Sequence, residues 1–136
     1  MFRRAAGAIL AATCLTMALA PAATAASDPV VVMIEKNSQL AGGQILVSLR
    51  ARCETRLSTF ELDVSVQQGT AGGSTTIVQA GVVTCDGHWQ DVDVPVAPSV
   101  GSFAPGTSTV DVFLGAFDQG QGDLEGTDSE TVRVRP

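Results

Sequence analysis

From Val30 onward, apolar residues recur at every second position, and no stretch carries the three-to-four spacing of a helical face. The β-branched residues Val, Ile and Thr dominate these stretches, and clusters of Gly, Pro, Ser and Asp interrupt them about every 8 to 12 positions. The pattern predicts strands throughout. Val30–Glu35 reads as the first, and Gln44–Arg52 as the second, with Ile45, Val47, Leu49 and Ala51 on one face and Ser48, Arg50 and Arg52 on the other. Cys53 continues the inward series. In Phe60–Gln67 the inward set is Phe60, Leu62, Val64 and Val66, and Glu61, Asp63, Ser65 and Gln67 face water. Gly69–Ser74 reads as a turn, and Thr75–Thr84 as a strand bulged near Gly81 so that Val83 and Cys85 both face inward. Asp86-Gly87 marks a tight turn. Trp89–Val96 alternates Val92, Val94 and Val96 against Asp91 and Asp93, with Pro95 pointing to a sheet edge. Val110, Val112, Leu114 and Ala116 form the next inward series, and Val132 and Val134 the last. Seven strands of this kind predict an all-β fold: two packed antiparallel sheets joined by Greek-key connections.

The amino terminus is patterned differently. Arg3 and Arg4, the apolar stretch Ala5–Ala20 and the small-residue signature Ala23-Thr24-Ala25 read as a cleavable export signal over residues 1–25. Ordinary secretion accounts for the two arginines better than twin-arginine export, because the surrounding residues lack that pathway's fuller pattern. Cys14 lies inside the apolar stretch, the wrong place for lipid attachment. The expected product is a secreted single domain over 26–136. No later apolar run approaches the ~20 residues needed to span a bilayer as a helix. Beyond the leader, six Lys and Arg face fourteen Asp and Glu, a formal charge of about −8. Such a surface repels phosphate backbones and anionic lipid, so nucleic acid and membrane surfaces are poor partners.

Two cysteines remain after the leader, Cys53 and Cys85, and an oxidising destination makes a disulfide their expected fate. Neither Cys-x-x-Cys spacing nor a histidine cluster offers a zinc site. His88, the single histidine, follows a tight turn and has no Gly-x-Ser-x-Gly elbow to serve. Asp91 and Asp93 sit side by side on a solvated strand face, where nothing tunes them for acid–base work. The chain therefore reads as a non-enzyme.

The run Cys85-Asp86-Gly87, the strand led by Trp89, the corner Phe103-Ala104-Pro105-Gly106-Thr107 opening Val110–Phe117, and the closing Glu130-Thr131-Val132-Arg133-Val134 resemble small secreted immunoglobulin-like domains of unknown function from high-GC bacteria. The resemblance implies a seven-stranded immunoglobulin-like sandwich and no catalytic residues. A more distant likeness, in size, charge and sandwich class, is to the acidic secreted apoproteins that carry enediyne chromophores, which hold two disulfides. It implies a small-ligand carrier with a cleft at one end of the sandwich.

Two stretches are candidates for binding. The acidic, glycine-rich segment from Asp118 to Asp128 offers Asp118, Asp123, Glu125 and Asp128 as oxygen ligands for calcium, although its spacing matches neither the EF-hand loop nor the Gly-Gly-x-Gly-x-Asp repeat. Counting by twos from Val110 sends Phe113 and Phe117 outward, and Trp89 shares the outward parity of Asp91 and Asp93. Outward aromatics point to a protein or surface partner, or to self-association. Arg133 and Arg135 are candidates to cover the two phenylalanines from the last strand. No short cysteine-braced reactive loop supports an inhibitor-like module.

Overall fold

The computed structural model describes residues 27–136, so the expected leader at 1–25 lies outside the described residues. Eight strands form one mostly antiparallel mixed sheet with β-sandwich-like architecture: β1 Val30–Ile34, β2 Asn37–Ala41, β3 Gln44–Cys53, β4 Ser58–Gln68, β5 Ala71–Val78, β6 Gln90–Val96, β7 Gly106–Asp118 and β8 Gly122–Arg135. Hydrogen bonding follows the order β1-β3-β2-β8-β7-β4-β5, with β6 on β3. β1 pairs with Leu49–Cys53 and β2 with Gln44–Leu46, so the two lie end to end along β3. The register steps by two at Glu35–Lys36, and β2 there turns partly onto β8, pairing parallel from Asn37↔Arg133 to Gln39↔Arg135. β2 thus links two antiparallel groups, β1-β3-β6 and β8-β7-β4-β5.

Both groups bury one face in a common core. Ile45, Val47, Leu49 and Ala51 of β3 meet Leu62, Val64, Val110, Val112 and Leu114 from β4 and β7, as the alternation predicts. Burying a Leu or Ile side chain stabilises by roughly 1.5–3 kcal/mol before chain entropy is counted, so this face dominates the fold. Asp118 is buried at the end of β7, where it accepts from Arg56 Nη1 and, through Oδ1, from the Gly120 amide at 2.9 Å. The disulfide forms between Cys53, at the end of β3, and Cys85.

Five expectations are corrected. β2 is an eighth strand that the alternation did not predict, since only Ser38 of its five residues is buried. β5 starts at Ala71, inside the expected turn, and stops at Val78; 79–89 is irregular and Gly81 takes a φ of +73°. Val83 still reaches the core, because the buried Thr59 hydroxyl donates to its carbonyl at 2.7 Å and accepts from its amide at 3.0 Å. β8 begins at Gly122, so most of the expected acidic loop is strand, closed on β7 by the turn Gln119–Gln121. Trp89 lies just before β6, not within it. Finally, the β4–β7 register shifts between Thr59 and Glu61. Phe60 is the extra residue of this bulge, so Thr59 takes the inward position and Phe60 lies half-buried outside the core.

The end of β5 is closed by the 97–100 segment. The Gly72 amide donates to the Val100 carbonyl at 3.0 Å, and the Ser99 and Val100 amides return bonds to Gly72. Gly73 lies under the crossing: a Cβ there would strike the Ala97 carbonyl oxygen and stand 3.2 Å from Pro98 Cα, all backbone that cannot swing aside. Gly73→Ala is therefore expected to lower unfolding free energy by about 2 kcal/mol in denaturant titration. An unchanged midpoint would show that the crossing yields freely.

Candidate functional site

β4, β7 and β8 together build the outer face on which the candidate aromatics lie. In antiparallel pairs, directly opposed residues share a face. Phe113 stands between Asp63 of β4 and Thr127 of β8, Gly115 between Glu61 and Glu125, and Phe117 between Ser58 and Asp123. No Lys or Arg stands opposite any of the three. The β7–β8 register runs unbroken through Gly115, so Phe117 stays outward, 45% exposed, and Phe113 is half-buried.

Gly115 explains how these rings pack. A Cβ at this position would come within 2.8 Å of Phe60 Cζ and 3.2 Å of Phe113 Cε1, so both rings reach over the bare glycine backbone. The β4 bulge and the glycine are complementary: the bulge turns Phe60 outward, and the missing side chain gives its ring a floor. Val78 of β5, paired with Glu61, extends the apolar strip to the neighbouring strand and is 76% exposed. Phe60 was missed by parity because the extra residue reverses the count at one position. The pairing of a bulge with a glycine opposite it cannot be read along one strand.

Arg133 and Arg135 do not cover the phenylalanines. Arg133 pairs with Thr107, at the far end of β7 from Phe113. The cation–π contacts lie on the other group of strands instead, where Arg50 and Arg52 hold their guanidinium carbons 5.3 and 5.2 Å from the Trp89 ring centroid. Arg50 also bridges Asp91 at 3.5 Å, and Asp93 accepts from the Ser48 hydroxyl at 2.7 Å. Trp89 is thus an aromatic already occupied by its own chain.

The four candidate calcium ligands are not brought together. Asp118 points inward to Arg56 and the Gly120 amide. Asp123 and Glu125 are on the outer face of β8, whereas Asp128 has the opposite parity and accepts from the Ile34 amide at 2.7 Å. Among the described residues no three His, Cys, Asp or Glu side chains are grouped so as to hold a metal ion. Strand formation is the physical reason, since alternation separates neighbours that a loop would gather.

His88 is exposed, and its neighbour Asp86 accepts from its amide at 2.9 Å, which leaves it in a solvated turn. The larger concavities, about 670 Å³ by Pro105, Arg133 and Pro136, about 560 Å³ by Val66, Thr70 and Ser99, and about 510 Å³ by Met33, Arg50 and Glu130, are shallow and open to solvent. They differ in shape from the enclosed apolar cleft a carrier needs. No helix among the described residues is long and apolar enough to cross a membrane. No family model matches the chain, and no curated protein matches it.

Proposed function

We propose that the chain is exported and acts as a non-enzymatic immunoglobulin-like module: two stacked sheets with Greek-key connections, one of which docks a protein partner on its outer face. The observation that carries this reading is the outward set of Phe60 and Phe113, whose rings meet over Gly115, with the exposed Phe117 two residues further along β7. The inward face of the same strands already supplies the core, so three phenylalanines on the wet side have no role in closing it. Aromatic side chains that combine large contact area with few rotatable bonds are favoured at recognition surfaces.

Site-specific photocrosslinking tests the reading. With benzoylphenylalanine at position 117, the exported protein is expected to form a discrete covalent adduct when illuminated in the culture of its native host. The same probe at Met33, exposed on the other group of strands, is expected to form none. Equal labelling from both positions, or none from either, would contradict a docking face here.

A further inference from the structure

Resting on that docking face, we propose that its partner is a polypeptide segment rich in arginine. Five carboxylates surround the rings: Glu61 and Asp63 on β4, Asp111 on β7, and Asp123 and Glu125 on β8. Their placement follows from register, because each belongs to the outward set that also holds Phe113, Gly115 and Phe117. Among the described residues none of the five takes part in an ion pair. Arg56, near the Phe117 end, is held between Glu54 at 2.8 Å and Asp118. Arg133 lies four residues along β8 from Ser129, the partner of Asp111, about 13 Å at ~3.3 Å per residue and beyond a Debye length of ~8 Å, and it is eight residues from Glu125. The face therefore combines apolar rings with uncompensated negative charge.

Arginine matches both halves of that surface. Its planar guanidinium stacks on aromatic rings and pairs with carboxylates through a fixed fork of donors, whereas lysine offers a compact, strongly hydrated charge. The molecule contains its own example of the arrangement, since Arg50 stacks on Trp89 while reaching Asp91. On the Trp89 side β3 supplies the guanidinium. On the phenylalanine side rings and carboxylates are present and the cation must come from elsewhere. A second copy is a poor source, because each exported chain carries about −8 and a two-fold interface would set the five carboxylates against their equivalents.

Titration of the ¹⁵N-labelled exported protein with octa-arginine, octa-glutamate and a Gly-Ser octapeptide tests the proposal. Octa-arginine is expected to shift the amide signals of residues 60–63, 113–117 and 123–125, and to bind at least tenfold more weakly at 300 mM than at 20 mM salt. Neutralising Glu61→Gln, Asp123→Asn and Glu125→Gln together should weaken it at least tenfold, and Phe113→Ser with Phe117→Ser at least threefold, in proteins whose melting stays cooperative. Equal binding of the Gly-Ser or glutamate peptide at this face would overturn the arginine assignment and leave the docking face standing. Shifts confined to other strands, no binding at all, or no effect of neutralisation would overturn the arginine assignment, and absent photocrosslinking from position 117 would remove the docking face itself. Concentration-dependent dimers in light scattering, abolished by Phe117→Ser, would assign the face to a second copy and also overturn the proposal.

Discussion

Replacing Cys53 and Cys85 together with serine is expected to lower the unfolding free energy by about 3–4 kcal/mol. The bridge spans 32 positions, and in the chain-entropy model removing a cross-link of that length releases roughly this much freedom to the unfolded chain. A domain of this size has only about 5–15 kcal/mol of net stability, so the variant should melt far below the parent. The loss should also be uneven. Residues 79–89 form no strand, and the disulfide ties them to the end of β3, helped by the Gly87 amide on the Cys53 carbonyl at 2.9 Å and the Thr59–Val83 pair. Hydrogen exchange should therefore accelerate in this segment before it does in β4 and β7. A denaturant midpoint that does not move under reducing conditions would mean that the bridge contributes nothing and that hydrogen bonds alone hold the segment.

Leu114→Ala is expected to cost about 3 kcal/mol, whereas Phe117→Ser, three residues along the same strand, should cost less than about 1 kcal/mol. Leu114 is fully buried opposite Leu62, and truncating a buried leucine typically costs 2–5 kcal/mol through lost transfer energy and the cavity left behind. Phe117 is nearly half exposed, and surface substitutions without a specific partner usually fall within ±0.5 kcal/mol. Ordinary hydrophobicity would rank the pair the other way, because phenylalanine is the larger side chain. Chemical denaturation of the two variants separates inward from outward on one strand. Equal costs would show that Phe117 belongs to the core.

Alternation is a reliable guide where one face is dry and the other wet. It located the inward sets of β3 and β7 residue by residue, and from the latter the outward parity of Phe113 and Phe117. It failed where a strand owes its existence to a neighbour. β2 has a polar sequence and is a strand because it pairs with β3 on one side and β8 on the other, and the Arg133 amide donating to the Lys36 carbonyl at 2.9 Å marks the start of the β8 pairing. The first half of β8 has the composition of a turn, yet it pairs without interruption with the aromatic half of β7. Local propensity is overridden there by cross-strand hydrogen bonding. The same limit explains the candidate sites. Two of the three outward phenylalanines were legible from parity, and Phe60 was not, because a single extra residue in β4 reverses its side. The carboxylate ring was invisible for a further reason, since it draws on three strands separated by long stretches of chain.

The claim on which the rest depends is that Phe60, Phe113 and Phe117 lie outside the core, the first two with their rings over a glycine floor. Proton NMR of the exported protein with a soluble paramagnetic probe tests it directly. Phe60 ring protons should show Overhauser contacts to the Gly115 α protons, and the Phe117 ring should broaden strongly while the Leu114 methyls keep their linewidth. A protected Phe117 ring with broadened Leu114 methyls would contradict the register of β7 and the docking face with it.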